Sequence, residues 1–288
     1  MISNLFHLIE AMPHQRSILI TGCSSGIGEH CALVLKAEGW RVFATARKPE
    51  DIAALKAQGF EAYFLDYTDE ASIKNCLADV LTATGGTLDA LFNNGAYAQA
   101  GAVEDVPTDV LRAQFEANFF GWHTLTRAII QIMRKQGHGR IVHCSSILGR
   151  VALPFRGPYA ATKFALEGLM LCMKLELAKT GITVSMIEPG AVISKIASNA
   201  LPHFENNIDI EASPHRVAYQ AQLARLRQGG VISRWKPGPE AVMKVLDHAL
   251  NAKHPKTHYV VTVTAKLGLL LQWALPRRWN YRLLAHRG

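Results

Sequence analysis

The feature that most constrains this chain is a turn. Thr21-Gly22-Cys23-Ser24-Ser25-Gly26-Ile27-Gly28 follows the apolar run Ser17 to Thr21 and opens a helix-forming stretch, Glu29 to Glu38. Three glycines spaced G-x-x-x-G-x-G between a strand and a helix permit a tight turn. They also let backbone N–H groups and the helix N-terminus approach an anion such as a pyrophosphate. An ordinary flexible loop is the alternative, and the strand and helix on either side argue against it. Gly39 stops the helix and Arg41 to Ala46 begins a second strand, completing the βαβ unit from which parallel sheets are built.

Further strand-like runs follow at Ala62 to Leu65, Ala90 to Phe92, Arg140 to Cys144, Thr183 to Ile187 and Tyr259 to Val263, nearly all separated by helical stretches. The alternation predicts an α/β fold: a single Rossmann-type doubly wound parallel sheet with helices on both faces and ligands at the carboxyl ends of the strands. A chain of 288 residues suits one such domain. The expected organisation is a leader over residues 1–16, a catalytic domain over 17–264 and a tail over 265–288. Within the domain, residues 194–238 form a substrate-covering insertion with short helices, where Pro202, Pro214 and Pro237 interrupt the pattern.

The formal net charge of +8 is confined to one end. From His248 onward there are seven Lys or Arg and no Asp or Glu, so the remainder carries only +1 (8 − 7). Nothing resembles a base-reading module, which argues against nucleic acid as a partner. The stretch from Lys266 to Trp279 is apolar, then aromatic and basic, and too short for a spanning helix of about 20 apolar residues. It fits an anionic membrane surface; packing on its own domain or on a second subunit stays open. Five cysteines without a CxxC pair or metal-ligand spacing indicate a reducing, cytoplasmic setting, peripheral to a membrane if the tail binds lipid, and no metal site. The first ten residues do not read as a secretory signal.

Cofactor choice is read from the end of the second strand, Phe43-Ala44-Thr45-Ala46-Arg47-Lys48. No carboxylate is present there to accept from a free ribose 2′-hydroxyl. Arg47, with Lys48 beside it, offers charge and a fork suited to a 2′-phosphate, so NADP (as NADPH) is predicted over NAD. A solvated surface pair is the bland alternative. Tyr159-Ala160-Ala161-Thr162-Lys163 sets a phenol and an ammonium at i and i+4, on one helix face. A free tyrosine titrates near pH ~10, so a nearby cation is needed if it is to act as acid and base at neutral pH. Such a pair alone is common and mostly structural.

Its companions carry the weight. TGCSSGIG, the Asn93-Asn94-Gly95-Ala96 element, Ser146 thirteen residues before Tyr159, and Asn118 forty-one before it together resemble the short-chain dehydrogenase/reductase family. The family's Asn-Asn-Ala-Gly element stands here with its last two residues exchanged. The resemblance implies an enzyme that interconverts an alcohol and a carbonyl, with Tyr159 as acid/base, Lys163 as its cation, Ser146 on the substrate oxygen and Asn118 in a water-linked proton relay. It also implies cofactor contacts from Gly22, Ser24, Ser25, Gly26, Ile27 and Gly28, from Asp66 and Tyr67, from Asn94 and Gly95, and from Pro189, Gly190, Val192 and Ser194, besides Arg47, Lys48, Tyr159 and Lys163. Asp66 has a second reading as a helix cap. A homodimer or homotetramer is implied in the same way.

The layout is similar to the retinol and 17β-hydroxysteroid dehydrogenase branch, which implies a bulky apolar alcohol or carbonyl such as a steroid, a retinoid or a fatty aldehyde. An epimerase or dehydratase on the same scaffold, and a regulatory NADP-binding protein without activity, are the competing readings.

Overall fold

The computed structural model describes residues 15–228 and 236–285. Most of the expected leader, the end of the expected insertion and Arg287 lie outside the described residues.

Seven strands pair in parallel: β1 (Ser17–Ile20), β2 (Arg41–Ala46), β3 (Glu61–Phe64), β4 (Ala90–Asn93), β5 (Gly139–Cys144), β6 (Ile182–Glu188) and β7 (His258–Val260). Their order is β3-β2-β1-β4-β5-β6-β7, the doubly wound arrangement anticipated above. The winding reverses between β1 and β4, and this switch point leaves a crevice at the strands' carboxyl ends. β1 and β4 are buried throughout, which is why the central strands read as unbroken apolar runs and not as alternating ones. β7 departs furthest from expectation, because the chain leaves the sheet at Val260 and Thr262 caps the following helix, its hydroxyl accepting from Ala265 N at 3.1 Å.

The helices α1 (Gly26–Ala37), α2 (Pro49–Ala57) and α3 (Glu70–Thr84) connect the first strands. Between β4 and β5 runs one continuous helix: α4 (Thr108–Phe115), a π-helical segment over Glu116–Phe120, and α5 (Gly121–Gln136). α6 (Gly157–Glu176) precedes β6. The expected insertion holds α7 (Ile196–Asn207) and α8 (Arg216–Arg227), after which α9 (Glu240–Asn251) returns to the main layers. There α1 packs on α9 and α3 on α5, enclosing the main core. α7 and α8 build a separate, smaller cluster around Phe204, Ile208, Tyr219 and Leu226.

The tail forms α10 (Val263–Ala274) and α11 (Arg277–Ala285). α10 is predominantly apolar, yet Ala265 is its only buried residue, and Trp273 is 86% exposed. No helix among the described residues is long and apolar enough to cross a membrane.

Candidate active site

The glycine turn is held by steric need. Gly22 has φ +70°, and a Cβ on it would stand 2.6 Å from the Gly95 Cα. The turns after β1 and β4 therefore meet back to back, and the exchanged Asn-Asn-Gly-Ala order still puts a glycine at the contact. Thr21 ties them: its hydroxyl accepts from Asn94 N at 2.8 Å and Gly95 N at 3.0 Å, and lies 2.8 Å from the Tyr67 hydroxyl. Gly26 has φ +63° and faces Ser194 across the cleft, while a Cβ on Gly28 would collide with the Gly22 carbonyl at 2.2 Å. Bare backbone, a helix N-terminus and an N-cap, Ser25, whose side chain makes no capping bond together form a cradle that a dinucleotide pyrophosphate fits.

A cavity of about 490 Å³ opens over this turn, in the size range of small-molecule sites. Of the residues singled out from sequence, Gly22, Ser24, Ser25, Gly26, Ile27, Arg47, Asp66, Tyr67, Asn94, Gly95, Ser146, Tyr159, Lys163, Pro189, Gly190, Val192 and Ser194 line it. Three do not. Gly28 lies behind the turn as a packing contact. Lys48 is solvent-exposed at the start of α2, 3.9 Å from Glu50, so only Arg47 of the basic pair reaches the cavity. Asn118 is fully buried: its carboxamide accepts from Tyr97 N at 3.2 Å and donates to Tyr97 O at 2.8 Å. The π-helical segment turns it inward, and what it positions directly is the backbone after β4.

Asp66 caps no helix. Its carboxylate accepts from the backbone and hydroxyl of Thr68, both at 2.9 Å, and Asp69 caps α3 instead. Tyr67 is a strut as well as a wall, donating to Asn93 Oδ1 at 2.6 Å.

Tyr159 and Lys163 share the inner face of α6 as their spacing requires, with the ammonium 5.6 Å from the phenol ring centroid. Lys163 is buried; it donates to the Cys144 carbonyl at 2.9 Å and stands 4.2 Å over the Trp122 ring. Burial pulls its pKa down to about 8, against upward pulls from Cys144 and Glu167. Burial likewise pushes the Tyr159 phenol well above its ordinary value, reinforced by Cys144 and opposed by a hydrogen bond with Ser146. Desolvation is the dominant influence on the phenol in this arrangement. Ser146 lies between strand and turn, its hydroxyl accepting from Leu148 N at 3.1 Å while it lines the cavity beside Tyr159.

Sequence reasoning missed several wall residues. Leu148, Leu153, Pro154, Ile196 and Leu226 give an apolar wall, and Arg156, Gln222 and Arg225 add polar groups to it. Phe155, between two of these, has φ +60°, a backbone state uncommon outside glycine. Below the floor, Glu188 accepts from Arg150 at 3.1 Å and faces His258 Nδ1 at 2.6 Å, with Glu167 3.5 Å from the same nitrogen. This cluster joins α6, β6 and β7 beneath the Pro189-Gly190 turn.

A parallel sheet with a glycine-cradled crevice at its switch point defines a Rossmann-type α/β protein. The chain belongs to the short-chain dehydrogenase family, whose model matches residues 16–203. It is 36% identical over 270 residues, covering 94% of each chain, to the uncharacterised oxidoreductase YbbO of Escherichia coli K12. A short-chain dehydrogenase from Streptomyces avermitilis is 31% identical, with a TM-score of 0.75 over 90% of this chain and 94% of that one. A variant of actinorhodin polyketide ketoreductase crystallised with NADPH is 28% identical, with a TM-score of 0.70 over 86% and 96%. The chain is thus an NAD(P)-dependent oxidoreductase of this family.

Proposed function

We propose that this enzyme uses NADPH to reduce the carbonyl of a bulky, largely apolar substrate, in the manner of steroid, retinoid or long-chain aldehyde reductases. The observation that carries the reading is a buried phenol, Tyr159, beside the Ser146 hydroxyl in the cavity that also holds the glycine turn and Arg47. A nicotinamide dinucleotide bound on the turn supplies hydride to the carbonyl carbon. Ser146 Oγ donates a hydrogen bond to the carbonyl oxygen and steadies its developing negative charge. Tyr159 Oη gives its proton to that oxygen, and the Lys163 ammonium stabilises the phenolate left behind.

Arg47 lines the cavity at the end of β2 and has no ion pair among the described residues, which suits it to a 2′-phosphate. Two measurements test the reading. NADPH oxidation against a panel of steroids, retinal, long-chain aldehydes and small ketones should show turnover with the apolar members and lose it by about a thousandfold or more in Tyr159→Phe. Arg47→Ala should raise the KM for NADPH far more than that for NADH; equal effects reject the NADP preference.

The exposed face of α10 supports an accompanying reading, peripheral docking on an anionic lipid surface. Val263, Leu267 and Leu270 share one face with Trp273 beside it, and Lys266, Arg277, Arg278 and Arg282 supply the complementary charge. Co-sedimentation with vesicles of phosphatidylserine and phosphatidylcholine should be salt-sensitive and lost in Leu267→Glu/Leu270→Glu. No co-sedimentation of the intact chain rejects it.

A further inference from the structure

Arg156 is a cation that the reduction does not use. It stands three residues before Tyr159, at the N-cap of α6, and lines the cavity on the wall covered by α8. Its guanidinium donates to the Phe155 carbonyl at 3.2 Å and to Gln222 Oε1 at 2.9 Å, both neutral acceptors. No carboxylate among the described residues pairs with it. A guanidinium carries five N–H donors, so these two bonds leave most of its capacity unused.

The surroundings make that charge costly. Arg156 is partly buried, and Arg225, one turn beyond Gln222 on α8, lines the same wall and depresses the Arg156 pKa on top of burial. Six Lys or Arg line the cavity against one acid, Asp66, whose carboxylate is already engaged by Thr68 at the β3 side. Were Arg156 only a strut between α6 and α8, a neutral amide could make the same bond to Gln222 without burying a charge. The preceding Phe155 is held in a left-handed backbone state at φ +60°. Leu153, Pro154 and Leu226 line the same cavity, so apolar groups surround the space that the cationic fork enters.

We propose that Arg156 binds the carboxylate of the substrate, making this enzyme selective for an oxo-acid: an apolar body whose carbonyl lies at Ser146 and Tyr159 and whose acid group pairs with the guanidinium. This rests on the carbonyl-reductase reading and narrows it. The planar two-oxygen anion matches the guanidinium fork in a way that a hydroxyl or ester does not.

The test compares long-chain oxo-acids with their methyl esters at equal chain length, following NADPH oxidation by the intact enzyme. Wild type should prefer acid over ester in kcat/KM by about tenfold or more, chiefly through KM. In Arg156→Met the acid-to-ester ratio should fall toward one. Gln222→Glu provides a second variant that keeps the α6–α8 contact: it places a carboxylate on the guanidinium from within, and the acid preference should fall there too. Equal turnover of acid and ester by wild type, or an unchanged ratio in Gln222→Glu, overturns the proposal. Calorimetry with dodecanoate separates its failure from that of the reductase reading. Binding that Arg156→Met abolishes upholds the subsite even if no carbonyl is turned over, and absence of binding to wild type rejects it.

Discussion

The two walls of the cavity are built on opposite principles. On the cofactor side, backbone is pressed against backbone: Gly22 on Gly95, Gly28 on the Gly22 carbonyl, with Thr21 binding both turns to the ends of β1 and β4. On the substrate side, α7 and α8 stand on a small core of their own. A few polar bonds attach them to the body: Tyr219 to Asp105 and Ala102 N, Asn207 to Gln99, and Gln222 to Arg156. The first wall shares the main core of the sheet and cannot change without disturbing it. The second can be rebuilt locally, so specificity can vary there while the chemistry stays fixed.

The largest expected effect falls on the first wall. Gly22→Ala forces a side chain into a left-handed backbone and into a contact at 2.6 Å, so it should abolish dinucleotide binding and cost on the order of 2–4 kcal/mol of stability. Calorimetry and denaturant unfolding read both. Phe204→Ala empties the centre of the small core, and a fully buried phenylalanine lost elsewhere costs about 3–5 kcal/mol. Here the loss should remain within α7 and α8, raising the substrate KM while leaving the NADPH Kd near wild type. A matching loss of NADPH binding breaks the contrast between the walls.

Acid should also separate them. His143, on β5, contacts Asn93 and Trp122, and burial holds its pKa down to about 3, with Lys163 adding to the effect. Because the unfolded state binds that proton from pH ~6.5 downward, stability is full above that value and declines as pH falls toward 3, by roughly 2–3 kcal/mol at pH 4.5. Urea midpoints against pH should show this slope, and His143→Gln should flatten it. The smallest effect is kinetic: with Lys163 near 8, its ammonium is present below that pH and lost above it. The kcat/KM for reduction should therefore decline as pH rises past about 8, and a flat profile through pH 9.5 removes the ammonium from the mechanism.

The same contrast explains what could be read in advance. Every strand of the sheet was legible to within a residue or two, except the end of β7, because parallel strands buried on both faces are apolar throughout. The cover was not. Its helix α8 does bury a periodic set, Tyr219, Gln222 and Leu226, but a glutamine at the centre hides the apolar period. Pro202 inside α7 reads as a break where the helix continues.

By itself the sequence determined the turn and the helical pair. Glycine spacing acts through local φ values, and Tyr159 and Lys163 meet because an α-helix repeats every 3.6 residues. Only the tertiary structure decided that Asn118 serves the Tyr97 backbone, that Lys163 reaches the Cys144 carbonyl, and that Arg156 meets Gln222, 66 residues away, with no acid paired to it among the described residues. Those outcomes depend on which distant groups share a buried space, and burial sets the state of each charge there; neither is encoded in local spacing.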